Sequence, residues 1–361
     1  MRTSDERFMG LALRLAKKGV GKTSPNPAVG AVIVKNGEVI GSGWHRKAGG
    51  PHAEIEALRS AKGGVKGATL YVTLEPCVHY GRTPPCVDAV ISAGIKRVLI
   101  GAKDPNPLVA GKGIKKLKAS GLEVESGVLE AGCRAINRPF EKFITTKTPF
   151  VTLKLASTLD GRIAIASGES RWITSEASRK AVHRLRAEAD AVMVGVNTLL
   201  RDDPELTVRK VRGKDPLKAV LDSSFKTPFG AKVFNNPGRL VIFTGHGASA
   251  AKVARARALG ARVVPVPSKK AGLDIRRVLK ELGRLEVSSL LVEGGGTLAA
   301  SLVRAGLVDR FVFFISPMLI GGDGRPSIGA LGLRRLEAAP RLKDVIVKRS
   351  GCDILIEGAP A

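Results

Sequence analysis

The feature that most restricts how this chain can fold is a set of side chains far apart in sequence that must meet in space. His52-Ala53-Glu54 is followed downstream by Glu75-Pro76-Cys77 and then by Cys86. One imidazole and two thiolates hold Zn²⁺ tetrahedrally and leave a fourth position for water. A metal so held lowers the pKa of that water toward neutrality. Glu54 is not a ligand in this scheme: it takes a proton from the water and passes it to a ring nitrogen and then to a departing amine. Eight residues, Val78 to Pro85, separate the cysteines. Gly81, Pro84 and Pro85 within that connection, and Pro76 beside it, make a stiff loop able to return Cys86 to the metal held by Cys77.

A His-x-Glu followed by Pro-Cys and a second Cys is the ligand pattern of zinc nucleobase deaminases, which in its general form places two residues between the cysteines. The longer insert is a departure from that form. Read singly, either cysteine is an ordinary buried thiol; the ordered set points to zinc.

The remaining composition narrows the class. A length of 361 residues suits two domains, and 44% apolar content is enough for ordinary cores. No run of uncharged apolar residues reaches membrane-spanning length. Charges at Arg2, Asp5, Glu6 and Arg7 argue against a signal peptide. Four cysteines in so long a chain are not a disulfide framework, so a reducing cytoplasm is expected. The net charge of +27 raises nucleic acid as a partner. Against it, the cations are spread along the chain, and aromatics make up only 4%, too few for the stacking platforms of single-strand binders.

Periodicity then orders the chain. Residues 5–18 read as a helix, 28–34 and 38–44 as strands joined by the hairpin turn Asn36-Gly37. A helix opens at His52 after Pro51, a strand runs over 68–74, and Cys86 begins another helix. Both ligand groups thus fall at helix N-termini, where the dipole favours thiolate. Further strands at 97–102 and 123–128 alternate with helices at 113–120 and 130–143, giving a three-layer α/β/α domain. The polar stretch Thr145 to Pro149 marks a boundary, with domains at 1–146 and 147–361. In the second half, strands are expected at 150–157, 191–195, 217–221, 240–244, 262–266, 289–292 and 309–315. A helix capped by Ser175, with Ser178 as a near alternative, is expected to run to Glu188. The run Glu293-Gly294-Gly295-Gly296-Thr297 joins a strand to a helix, a geometry that holds phosphate on backbone N–H groups.

The strings SPNPAVGAVIV, PHAEIEAL, TLEPCVHYGRTPPC and DPNPLVAGKG resemble the deaminase half of the RibD family of riboflavin-biosynthesis enzymes. The strings KLASTLDGRIA, GESRWITS, VGVNTLLRDDPELTVR and LVEGGGTLAASL resemble its reductase half. The long insert between the cysteines is itself a mark of that family. The resemblance covers the chain to about Gly324 and leaves the last stretch without a usable motif.

The resemblance implies a cytidine-deaminase-like first domain and a second, α/β domain similar to dihydrofolate reductase that uses NADPH. It implies Zn²⁺ on His52, Cys77 and Cys86, with Glu54 catalytic. Asn26 and the loop holding His79, Arg82 and Thr83 would contact the pyrimidine and its ribose phosphate. Ala156, Trp172, Thr198, Asp202 and the Gly294, Gly295, Gly296 turn would line the NADPH site, with Ser223 beside the adenosine phosphate. Ser170, Arg186, Leu206, Arg209 and Glu293 would hold the substrate, the arginines pairing its phosphate. The expected substrate is a phosphorylated diaminopyrimidine, deaminated and then reduced at its ribose, and the expected assembly is a homo-oligomer, dimer or tetramer. Read locally, Asn26 is an Asx turn, Trp172 packing, Leu206 core, Arg186 a surface helical residue and Asp202 part of a turn. Two rival readings stand beside this one: a tRNA or single-stranded DNA deaminase, and a binding protein with an inactive site.

Overall fold

A computed structural model of the chain describes residues 4–80, 84–269 and 272–361. Arg82 and Thr83 of the expected substrate loop lie outside them. The chain divides into two compact units, Met1–Lys147 and Thr148–Ala361.

The first unit is built on α1 (Ser4–Lys17), β1 (Gly30–Lys35), β2 (Glu38–Trp44), α2 (Ala53–Ser60), β3 (Thr69–Leu74), α3 (Cys86–Ser92), β4 (Arg97–Ala102), α4 (Lys112–Ala119), β5 (Glu123–Ser126) and α5 (Glu130–Thr146). Its sheet runs β2-β1-β3-β4-β5. β1 pairs antiparallel with β2 and β3, whereas β3, β4 and β5 are parallel. α1 packs with α5, and α2, α3 and α4 pack in succession, so helices cover the sheet in two groups. Val32, Val72, Leu70, Val98, Leu99 and Ile100 are almost wholly buried between them.

Small residues set the helix-to-sheet distance. Along α1 the buried positions are Phe8, Met9, Ala12 and Ala16, one helical face. A Cβ on Gly30 would stand 2.1 Å from the Ala12 carbonyl oxygen and 2.6 Å from the Ala16 amide nitrogen. On α2, a Cβ on Gly43 would stand 2.5 Å from the Ala57 amide nitrogen. Both contacts are backbone against backbone, which cannot yield by a rotamer change.

The second unit comprises β6 (Phe150–Thr158), β7 (Arg162–Ala164), α6 (Glu176–Glu188), β8 (Ala191–Gly195), α7 (Val196–Asp202), β9 (Leu217–Leu221), β10 (Leu240–Thr244), α8 (Ala250–Ala258), β11 (Arg262–Pro265), β12 (Ser268–Lys269), β13 (Gly272–Leu273), α9 (Ile275–Arg284), β14 (Ser289–Val292), α10 (Gly296–Arg304), β15 (Arg310–Ser316), β16 (Arg325–Pro326), β17 (Leu342–Ser350) and β18 (Asp353–Pro360). The main sheet runs β11-β10-β9-β8-β14-β6-β15-β18-β17. From β11 through β15 neighbouring strands are parallel, and the β17–β18 hairpin closes the edge antiparallel. Alternate residues serve opposite faces, as strand pleating requires. Val151, Leu153, Leu155, Met193 and Phe243 meet α9 and α10 residues on one face. Val192, Val194, Val220 and Ile242 meet Leu199 of α7 and Ala256 of α8 on the other.

The stretch after β8, to which the sequence pattern assigned no element, is the short helix α7, and the last residues, which carried no usable motif, form the β17–β18 hairpin. Strand β17 is exposed along nearly its whole length, so it has no in-out alternation by which to read it. Its turn is tied down by Asp353, which is fully buried. Asp353 Oδ2 accepts hydrogen bonds from the Ser175 amide and hydroxyl, at 2.8 and 2.7 Å, and from the Ser178 hydroxyl at 2.5 Å. Ser175 is the N-cap of α6, as its residue type led one to expect.

The packing of Gly30 gives a direct test. Gly30→Ala forces α1 off the sheet and destabilises the first unit by about 3 kcal/mol. In urea unfolding of the whole protein, the midpoint of that unit falls while the transition of the second unit stays in place. An unchanged midpoint would mean that α1 is not held at the distance seen here.

Candidate functional site

Two sets of polar residues gather at the carboxyl ends of the parallel strands, one in each unit, where open α/β sheets place their ligands.

In the first unit the chain leaves β3 at Leu74 and delivers Glu75-Pro76-Cys77. His52 is the N-cap of α2 and Cys86 the first residue of α3. His52 Nδ1 lies 3.2 Å from Cys86 Sγ and 3.6 Å from Cys77 Sγ. The three ligand atoms all fall within 4.8 Å of one another. The Cys86 amide donates to Cys77 Sγ at 3.4 Å. Hydrogen bonds from the Cys86 thiol, and from His52 and that amide, pull the Cys77 thiol down to about 4. The thiol–thiolate hydrogen bond pushes Cys86 up, and burial adds to it. One nitrogen and two sulfurs, one already favoured as thiolate, fit the donor set of Zn²⁺ with a fourth position open.

Glu54 lies in the first turn of α2 with 4% of its surface exposed. Burial, and then the charge of Cys77, push its carboxyl up to about 7. Asn26 is brought to the same place through His45, which the sequence reading passed over. His45 Nδ1–H donates to the Pro51 carbonyl at 2.9 Å, and its Nε2 accepts from the Asn26 amide at 3.2 Å. The His45 ring stands edge-on to His52 with centroids 5.2 Å apart. Burial lowers the pKa of His45, consistent with this neutral tautomer. His79 is exposed, beyond Cys77. The signal for His45 was slight: a histidine just after a strand, near a Gly-Gly-Pro turn.

In the second unit the Gly294–Gly296 turn joins β14 to α10, whose first residue is Gly296 itself. A Cβ on Gly296 would meet the Pro326 carbonyl at 2.5 Å, so glycine is required by a close backbone approach. Thr198 of α7 stands against the same turn, its Oγ1 3.7 Å from where a Gly295 Cβ would be. The Asp202 carbonyl, at the end of α7, accepts from Arg171. Trp172 is 68% exposed, with the Arg179 guanidinium 4.5 Å over its ring. Ala156 packs beside Val182, Val312 and Phe314. Ser223 is exposed after β9, and its carbonyl accepts from the Gly245 amide at 2.9 Å. Ser170 is partly buried in the segment before α6.

The second unit's ionic centre is the pair Arg186–Glu293. The guanidinium is bidentate, Nε to Oε1 at 2.6 Å and Nη2 to Oε2 at 2.9 Å, and Nη1 donates to the Thr207 carbonyl at 3.0 Å. Three of its five N–H donors are therefore engaged by the protein. Burial works against the Glu293 carboxylate, but Arg186 and then Lys154 hold its pKa below the ordinary value. Lys154 of β6 is a residue the sequence reading missed; its signal is a lysine within an otherwise apolar strand. Burial depresses its ammonium pKa, opposed by Glu293. Leu206 has left-handed backbone, φ 55°, and its side chain is buried in the core. Any contact it makes with a ligand falls to its backbone. The Arg209 side chain pairs with Glu205, and its amide donates to His183 Nδ1 at 3.1 Å.

Comparison with known proteins decides the family. Residues 2–102 match the cytidine and deoxycytidylate deaminase zinc-binding region, and residues 149–356 match the RibD C-terminal domain. The chain is 47% identical over 359 residues to the riboflavin biosynthesis protein RibD of Aquifex aeolicus, covering 99% of this chain and 98% of that one. The Escherichia coli protein of the same name is 41% identical over 365 residues, with 98% of each chain covered. The chain belongs to the RibD family.

Solved structures agree. Acinetobacter baumannii RibD superposes with a TM-score of 0.90 at 39% identity, and 99% of each chain is covered. The Thermotoga maritima diaminohydroxyphosphoribosylaminopyrimidine deaminase/5-amino-6-(5-phosphoribosylamino)uracil reductase gives 0.86 at 38%, again with 99% of each chain covered. As a RibD-family member the chain is a bifunctional enzyme carrying out the deaminase and reductase steps of riboflavin biosynthesis on a small phosphorylated pyrimidine. It has a zinc-binding deaminase site, and its reductase domain implies a nicotinamide cofactor. No helix among the described residues is long and apolar enough to cross a membrane.

The His183–Arg209 hydrogen bond makes a prediction about acid. Burial, followed by the charges of Arg186 and Arg209, lowers the His183 pKa from its ordinary 6.5. A histidine with a depressed folded pKa contributes stability that is present above the unfolded value and lost as pH falls through the folded one. Melting temperatures of the second unit at about pH 7.5 and about pH 5 should therefore differ more in the wild type than in His183→Gln. Equal pH dependence would show that His183 is not held neutral by this packing.

Proposed function

We propose that His52, Cys77 and Cys86 hold one Zn²⁺ and that Glu54 moves the protons in deamination of 2,5-diamino-6-ribosylamino-4(3H)-pyrimidinone 5′-phosphate. The second unit then reduces the ribosyl group of that product to ribityl with NADPH. The observation that carries the reading is the convergence of one imidazole nitrogen and two sulfurs beside a buried carboxyl, in a chain whose other unit is a reductase.

Zinc, when bound, supplies a water nucleophile activated near neutral pH. Glu54 would take a proton from the attacking water, deliver it to the ring nitrogen beside C2, and then serve the departing amine. A buried carboxyl pushed up toward neutrality suits a group that must both gain and release a proton. Asn26, held by His45, would read the polar edge of the pyrimidine. His79, with Arg82 and Thr83, belongs to the loop that would meet the ribose phosphate.

NADPH, when bound, supplies the hydride for C1′ of the opened ribose. The backbone amides at the start of α10 suit a dinucleotide phosphate, and Thr198, Asp202, Trp172 and Ala156 would line the rest of that site, with Ser223 at the adenosine phosphate. Ser170, the Leu206 backbone, Arg209 and the remaining N–H groups of Arg186 would hold the substrate. Glu293, kept ionised by Arg186 and Lys154, is suited to accept hydrogen bonds from substrate rather than to donate the proton of the reduction. Asp202 or water is left for that role. Orientation of the hydride donor over one carbon carries most of the rate in such a step.

The enzyme is read as a cytoplasmic homo-oligomer, dimer or tetramer. Four free cysteines accord with a reducing compartment. Val345, Ile346 and Val347 stand exposed on the edge strand β17, a surface that a second copy would cover.

The test is a coupled assay of ammonia and NADP⁺ on the diaminopyrimidine phosphate. Glu54→Gln should lower ammonia release by about 10²–10⁴-fold and leave NADPH oxidation on previously deaminated substrate unchanged. Loss of both activities in folded, zinc-bearing protein would contradict the two-site reading.

A further inference from the structure

We propose that Glu75 is the positioning residue for the Cys77 ligand. Its carboxyl group braces the chain that enters the zinc site against the start of α4. The proposal rests on the zinc reading of the first unit and extends it to a residue that does not touch the metal.

The chain's last sheet hydrogen bond before the site is the Glu75 amide to the Ala102 carbonyl, at 3.0 Å. Beyond it, Pro76 and Cys77 have left the sheet. The Glu75 side chain is 3% exposed and turns away from the ligands toward the 104–114 segment. Oε2 accepts from the Asp104 amide at 3.2 Å and the Gly111 amide at 2.9 Å, and Oε1 accepts from the Ile114 amide at 3.1 Å. Gly111 is the N-cap of α4, and Ile114 lies in its first turn. One side chain thus satisfies three backbone donors: the Gly111 and Ile114 amides, which the start of α4 would otherwise leave open, and the Asp104 amide of the loop after β4.

The helix is drawn in close. A Cβ on Gly113 would stand 2.3 Å from the Pro76 carbonyl oxygen and 3.1 Å from Glu75 Oε1. From the other side, the Cys77 carbonyl accepts from the Val87 amide at 3.2 Å, and its sulfur accepts from the Cys86 amide at 3.4 Å. The ligand-bearing segment is therefore held between α3, through Cys77 itself, and α4, through Glu75. Cutting the second hold leaves the segment fixed on the α3 side alone, so Cys77 loses the brace that sets its distance from α4.

The experiment compares full-length wild type, Glu75→Gln and Glu75→Ala, each loaded with zinc, for the rate of zinc transfer to a colorimetric chelator. Groups that orient metal ligands are worth about 10–100-fold in metal affinity. Glu75→Ala should release zinc faster by a factor in that range, with reductase activity unchanged. Glu75→Gln should fall between, because its amide oxygen can serve two of the three donors while its NH₂ faces the third. Cobalt-substituted protein should show a shifted ligand-field band in the variants, which loss of a helix cap alone does not produce. Zinc release at the wild-type rate from both variants overturns the proposal. If Glu75→Ala does not fold, wild-type release and an unshifted band in Glu75→Gln overturn it equally. Wild-type protein that takes up no zinc would overturn the underlying zinc reading, and this proposal with it; zinc-bearing wild type with unaltered variants overturns the role of Glu75 alone.

Discussion

The meeting of His52 Nδ1 with the sulfurs of Cys77 and Cys86 is the constraint on which the first unit depends. It requires a strand that stops at Leu74 and two helices, α2 through its N-cap and α3 through its first residue, that start at the same point. Helix N-termini supply the positive end of the dipole, which favours thiolate. The close packing of Gly43 on α2 fixes that helix, and His52 at its start, against the sheet by backbone contact. Glu54 is buried because it sits one residue inside α2, on the face turned to the sheet. Its raised pKa follows from where the helix must lie.

The second unit solves a different problem by the same means. Its parallel strands β14 and β6 lie side by side although the chain visits four other main-sheet strands between them, and the next strand, β15, falls on the far side of β6. At their carboxyl ends stand Glu293 with the glycine turn, and Ala156. Arg186 reaches this place from α6, whose start is tied to the β17–β18 turn by Asp353. The terminal hairpin thus bears on the ionic centre without contributing a residue to it. A buried ion pair of this kind is not in itself a source of stability. Its consequence is orientation: the bidentate geometry leaves Glu293 little freedom, and its ionised form is the one selected.

Much of this was legible in the residues. The Asn36-Gly37 hairpin, the Ser175 cap and the strand-turn-helix at Gly294–Gly296 are local signals with local causes, and they fall where expected. The zinc set was legible because its chemistry demands those residue types in that order. What could not be read is tertiary in origin. Asp353 finds its partners 178 residues away at Ser175. Strand β17 lies at a sheet edge with both faces toward solvent, so it lacks the alternation that marks a half-buried strand. His45 acts through Asn26 and Pro51, and Lys154 through Glu293, partners that sequence spacing does not reveal. For Leu206 the side chain alone pointed to core and the family resemblance to a ligand contact. The left-handed backbone with a buried side chain leaves room for both.

Zinc K-edge X-ray absorption on the purified full-length enzyme tests the donor set most directly. One zinc per chain is expected, with two sulfurs at about 2.3 Å and lighter donors at about 2.0–2.1 Å. A spectrum without sulfur in the first coordination sphere, or protein that carries no stoichiometric zinc, would contradict it.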